Sequence, residues 1–230
     1  MIIAVLTATY KIFIIISVLI IIHELGHFIF AKIFGIETDK IYIYPLGGIS
    51  KFNMPLNTSP YKEFLILIMG PIFQNIAYFI LLTIFNDKNL ILQYHIGILT
   101  FNLLPIYPLD GGKLLHLIFT KFIPYRFSFK VVIVISYITT IILLISNNQL
   151  SINMILTYTF LIYLIRREDL KINFRYNKFL LERYLNNYFF KKEKIISNEN
   201  NFYRTKKNII KCNNQLFSEQ EYLKKKYNNF

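Results

Sequence analysis

The sequence predicts an all-α polytopic membrane protein with about five transmembrane helices and a basic cytoplasmic tail. Three observations carry that expectation. Hydrophobic residues make up 54% of the 230 positions, and the mean hydropathy is +0.42, which suits a membrane chain better than a soluble one. The apolar residues gather into segments close to the roughly 20 residues that a membrane helix needs. Lysine and arginine also fall unevenly between those segments, as they do where charge sets topology.

The segments run approximately over 3–31, 64–85, 90–108, 130–147 and 151–165. The first has neither a basic leader nor a cleavage site ahead of its polar cluster and reads as a retained span. Between the first two, Ile41-Tyr42-Ile43-Tyr44 favours a strand, Pro45-Leu46-Gly47-Gly48 is turn chemistry, and Ile49 to Met54 partly alternates. A short β-hairpin at the membrane surface, with an edge that could pair with an extended peptide, fits these residues. An ordinary connecting turn fits them equally. Span two opens near Gly70-Pro71, with Gln74 and Asn75 close by, a pattern of close helix packing with polar contacts. Spans four and five are separated by Asn147-Asn148-Gln149, a tight hairpin connection.

Positive charge orients the spans. Lys32, Lys40, Lys51 and Lys62 follow span one, and Lys113, Lys121 and Arg126 follow span three; the opposite side shows Lys88. The N-terminus is then expected outside and the C-terminus in the cytoplasm. The net charge of +13 is concentrated in residues 166–230, which carry 16 Lys/Arg against 7 Asp/Glu. Such a tail suits anionic lipid better than nucleic acid, which is not an expected partner. Domains are therefore expected at 1–165 (the membrane domain) and 166–230 (the tail). Within the tail, Phe179 to Leu185 reads as an amphipathic helix whose stripe of Phe179, Leu180 and Tyr184 could dock on the membrane domain or on substrate. The Asn/Lys-rich remainder suggests no particular fold. A single cysteine, Cys212, rules out an intrachain disulfide and a thiolate zinc cluster.

Chemistry concentrates in His23-Glu24-Leu25-Gly26-His27. Two histidines at i and i+4 point from one helix face and can share a metal ion, while Glu24 stands near enough to act as general base toward an activated water. The motif alone has only moderate specificity. Its setting adds weight, because Ile12 to Ile22 are all apolar except Ser17, and ionisable groups there are costly unless they serve a function. The residues point to hydrolysis within or at the edge of a membrane, with one Zn2+ as cofactor.

A catalytic zinc needs a third protein ligand. Asn102 to Lys113 contains Pro105 and Pro108 ahead of Asp110-Gly111-Gly112, and broken backbone at membrane depth is tolerated where it lines a cavity. Asp110 is the best third ligand, against the simpler reading that it caps the next helix. His95 and His116 read as packing residues. Asn102 could stabilise an oxyanion or make an interhelical hydrogen bond, and its sequence context favours neither.

These motifs together resemble the site-2 protease family of intramembrane zinc metalloproteases, peptidase family M50. His23 to His27, Gly70-Pro71 and Leu109-Asp110-Gly111-Gly112 occur in the family's order, and the resemblance spans roughly residues 12 to 185. Tyr44 to Gly48, Asn102 to Lys113 and Phe179 to Leu185 look most like the branch of stage IV sporulation proteases. The resemblance implies His23, His27 and Asp110 as metal ligands and Glu24 as catalytic base. It also implies a membrane-associated pro-sigma factor as substrate, inhibitory membrane partners, and a mother-cell membrane around the forespore. That branch has six spans and a C-terminal cystathionine-β-synthase-type domain; here one span fewer and no complete domain of that type are expected. The competing class is a zinc transporter or a silent zinc-binding scaffold. It is disfavoured because no ionisable residue other than tyrosine lies between Val131 and Ile165.

Overall fold

The computed structural model describes residues 10–36, 38–44, 47–52, 54–146, 151–212 and 215–228. The start of the first expected span, the Pro45-Leu46 turn and the Asn147-Asn148-Gln149 connection lie outside the described residues. The chain forms two compact units, one of residues 1–54 and 61–104 and one of residues 55–60 and 105–230. This division differs from a boundary at residue 165.

In the first unit, helix α1 (Tyr10–Ile33) is followed by strands β1 (Thr38–Tyr44) and β2 (Gly47–Phe52) and by helices α2 (Pro60–Ile84) and α3 (Lys88–Leu103). Strands β1 and β2 pair antiparallel, with Ile41 opposite Ser50 and Tyr44 opposite Gly47. Ile15 and Leu19 of α1 pack with Ala77, Leu81 and Ile91, and a second cluster joins Ala31, Ile36 and Ile66. Helices α1 and α2 approach so closely that a Cβ on Gly26 would lie 2.4 Å from the Met69 carbonyl oxygen. Small residues permit this approach, as the Gly70-Pro71 region suggested.

The second unit holds α4 (Asp110–Phe122), α5 (Tyr125–Ser146), α6 (Ile152–Leu170) and α7 (Ile172–Leu185). It continues with β3 (Glu193–Ile196), a 3-10 turn, β4 (Lys207–Cys212), β5 (Gln215–Ser218) and α8 (Glu219–Asn228). Strand β3 runs parallel to β4, and β5 antiparallel to it. The described residues between 166 and 228 thus form helices and a three-stranded sheet and are more than a basic tail. The strands are pairs such as Ile209-Ile210 and Leu216-Phe217 set among Asn and Lys, too short to stand out by periodicity. The expected stripe on α7 packs in part on the segment expected as the membrane domain. Phe179 and Leu180 are fully buried, and Phe179 stacks on Tyr125 at the start of α5 with 4.3 Å between ring centroids.

Among the described residues three helices, α1, α2 and α5, are long and apolar enough to cross a membrane. The other two expected spans are less complete. Helix α3 has 16 residues, about 24 Å of rise against a hydrocarbon core of about 30 Å. It stops because Leu104 precedes Pro105 and takes extended backbone at φ −55°, ψ 140°, the conformation that a following proline imposes. Helix α6 has 19 residues, but its last turns carry Arg166, Arg167, Glu168 and Asp169.

Candidate metal centre

Helical spacing puts His23, Glu24 and His27 on the buried side of α1. Hydrogen bonds to the Nδ1 atoms set the two imidazoles. His23 Nδ1–H donates to Gln74 Oε1 at 2.9 Å, and His27 Nδ1–H donates to the Ile66 carbonyl at 2.8 Å. This tautomer puts both lone pairs on Nε2, and the two Nε2 atoms lie 3.1 Å apart. Two imidazole lone pairs at that separation repel one another, and a shared cation removes the conflict. Gln74 is itself fixed, since its Nε2 donates to the His95 carbonyl at 3.0 Å. Oriented imidazoles with their second nitrogens occupied are the outer-shell pattern of zinc sites.

The space beside the lone pairs depends on Gly70. A Cβ there would lie 2.3 Å from His27 Nε2 and 2.8 Å from His23 Nε2. Glycine on α2 therefore leaves room at the metal-binding atoms of α1, where any other side chain would collide with rings already pinned through Nδ1. The donor set and this cradle fit zinc. Sequence reasoning assigned Gly70 and Gln74 to packing; their contacts with the imidazoles give them a site role as well. No residue pattern marked them, because the partner of a histidine Nδ1 is chosen by helix packing.

In the second unit, Asp110 is buried and is the first residue of α4. The N-cap position belongs to Leu109, which has no side-chain capping bond, so Asp110 is not the N-cap residue of that helix. Lys113 Nζ donates to Asp110 Oδ1 at 2.9 Å. That bond uses one of about four acceptor positions of the carboxylate. The preceding turn contains a cis Tyr107-Pro108 peptide and lies hard against α4. A Cβ on Gly112 would come within 2.5 Å of Ile106 and Tyr107 backbone atoms, which accounts for the second glycine of Asp110-Gly111-Gly112.

Asn102 is buried in the last turn of α3. His95 stacks on Tyr78 at 4.5 Å between ring centroids. His116 packs against Phe129, Tyr125 and Tyr107. Both are packing residues, as their sequence settings suggested. Burial, reinforced by the nearby Arg204 and Arg175 guanidinium groups, holds the His116 imidazole well below its usual pKa.

Comparison with known proteins adds independent findings. Residues 11–92 match the model of the family described as peptidase family M50, a span that contains His23, Glu24, His27, Gly70 and Gln74 and ends before Asp110. The stage IV sporulation protein FB of Bacillus subtilis is 34% identical over 129 residues, 53% of this chain and 44% of that protein. A zinc metalloprotease of Methanocaldococcus jannaschii is 34% identical over 154 residues, 63% of this chain and 44% of the relative. The chain thus spans under half the length of these curated relatives. The solved structure of the site-2 protease from Methanocaldococcus jannaschii superposes with a TM-score of 0.54 at 29% identity, covering 68% of this chain and 76% of that one.

Proposed function

We propose that the chain is an intramembrane zinc endopeptidase of the site-2 protease family, peptidase family M50, whose model residues 11–92 match and one of whose solved structures it resembles. The observation that carries the reading is the pair of buried imidazoles on α1, each oriented through Nδ1, with a glycine opposite their Nε2 atoms. A structural histidine pair in an apolar core needs no such gap.

In this reading His23, His27 and Asp110 would hold the ion, the three protein ligands that a catalytic zinc site requires. Zinc held there supplies a Lewis acid and makes a water acidic enough to act near neutral pH. Glu24, buried one residue from His23, takes the proton from the attacking water and delivers it to the leaving amine. Gln74 and the Ile66 carbonyl keep both rings in the binding tautomer throughout. Asn102 is proposed to donate to the developing oxyanion; a purely interhelical hydrogen bond is the competing role.

The proposed substrate is a membrane-associated pro-sigma factor. The similarity to the stage IV sporulation protein FB of Bacillus subtilis supports it. The proposed location is a multi-pass membrane protein with the N-terminus outside and the C-terminus cytoplasmic, in the mother-cell membrane around the forespore, held in check by inhibitory membrane partners. The positive charge distribution supports that orientation.

Co-expression with pro-sigma factors of the same genome, scored for a shortened product, tests the reading. Glu24→Gln is expected to retain zinc and abolish the product, and Asn102→Ala to slow it about 100-fold or more. Undiminished cleavage by Glu24→Gln would overturn the mechanism. Undiminished cleavage by Asn102→Ala would return that residue to packing. Zinc flux in vesicles that survives Glu24→Gln would favour a transporter.

A further inference from the structure

The turn that delivers Asp110 has few means of holding itself in place. Pro105 and Pro108 contribute no N–H, and the turn has one internal backbone bond, from Leu109 N–H to the Ile106 carbonyl at 2.8 Å. External groups fix it, and they converge on Tyr107. The Tyr107 N–H donates to Ser136 Oγ on α5 at 2.8 Å, and Ser136 is anchored in turn on the Val132 carbonyl at 2.7 Å. The Tyr107 hydroxyl accepts from Arg175 Nη1 on α7.

Arg175 is held at both ends. Its Nη2 pairs with Glu168 of α6, a carboxylate whose side chain is 4% exposed, and the guanidinium sits 5.3 Å from the Tyr107 ring centroid and 5.1 Å from that of Phe129. A planar fork that bridges two acceptors beside two aromatic rings is a role lysine cannot reproduce. Movement of Tyr107 is transmitted to α4, because the backbone of Ile106 and Tyr107 lies against Gly112. Asp110 stands between these two contacts.

We propose that Arg175 is a positioning residue for Asp110. Through Tyr107 it locks the turn at residues 105–109, so that α7, which follows the α6 segment, sets the geometry of the carboxylate. The proposal rests on Asp110 being a zinc ligand. It also gives the C-terminal region a part in the metal site, exerted through Tyr107.

The test uses the full-length purified protein, with zinc and cobalt as probes. Arg175→Ala is expected to weaken zinc binding by about tenfold or more, as outer-shell substitutions do. It should also change the visible absorption of the cobalt-loaded protein and speed amide exchange at Tyr107, Leu109 and Asp110. Arg175→Lys should recover only part of this. Tyr107→Phe, which removes one oxygen and leaves the ring packing, should move every readout in the same direction by less. Lys178→Ala, exposed on the same helix, should move none. Wild-type zinc affinity, cobalt spectrum and amide exchange in both Arg175→Ala and Tyr107→Phe would overturn the proposal. The underlying reading fails separately: Asp110→Asn with wild-type zinc affinity and cobalt spectrum would remove Asp110 from the ligand set, whatever the exchange at the turn shows.

Discussion

Two of the buried polar networks among the described residues are built on opposite plans. In the first unit, His23 and His27 have their Nδ1 protons taken by Gln74 and the Ile66 carbonyl, and their Nε2 lone pairs are turned toward one another. In the second unit, Arg183 is 1% exposed and its protons are spread over Glu219, the Arg204 and Lys206 carbonyls and Asn57. Glu219 also accepts from the Asn208 N–H at 3.1 Å. The Arg183 network closes on itself, and its chemistry is structural. The histidine network holds the outer nitrogens in hydrogen bonds and brings the two Nε2 atoms within 3.1 Å of one another, the arrangement of a site.

The contrast predicts that the two networks fail differently. Arg183→Ala leaves Glu219 buried without its cation, a loss of about 3–5 kcal/mol. Thermal or denaturant unfolding should register a large destabilisation of residues 166–228, while zinc affinity of the protein that remains folded stays near wild type. Zinc affinity that falls in step with stability would erase the distinction between the networks.

Gly70→Ala should do the reverse. The added methyl collides with rings pinned through Nδ1, so zinc binding should drop on the order of 100-fold, the upper end of the usual outer-shell effect. Unfolding should move less than in Arg183→Ala, because the cost is confined to two neutral imidazoles and their Nδ1 hydrogen bonds. Equilibrium zinc competition measures the first and chemical denaturation the second; unchanged zinc affinity would show that the gap at Gly70 is not a binding space.

Gln74→Leu is the mildest break. It preserves bulk but removes the acceptor that orients His23, and zinc affinity should fall by about tenfold. His27, held by a backbone carbonyl, keeps its orientation. A loss as large as that of a direct ligand substitution would mean that Gln74 does more than orient His23.

The same contrast explains what could be read in advance. His23, Glu24 and His27 stood out because ionisable groups rarely interrupt an apolar run, and Asp110 because prolines and glycines surround it. Arg183 and Glu219 gave no such signal. Each is one charge among many in a Lys- and Asn-rich stretch, and their pairing spans 36 positions. Arg175 is hidden in the same way: in the sequence it is one of the 16 Lys/Arg of residues 166–230, and its contact with Tyr107 spans 68 positions.

By itself the sequence determined the membrane class, the metal-binding face of α1 and the broken segment before Asp110. Those properties follow from local composition and from the 3.6-residue period of a helix, which act within a few neighbouring positions. Only the tertiary structure decided that Gly70 supplies the gap beside the imidazoles, that Gln74 fixes one tautomer, and that Arg183 ties Asn57, Arg204, Lys206 and Glu219 together. Helix crossings and strand pairings bring together residues that are far apart in the chain, and a hydrogen bond acquires its meaning only when both partners have been placed.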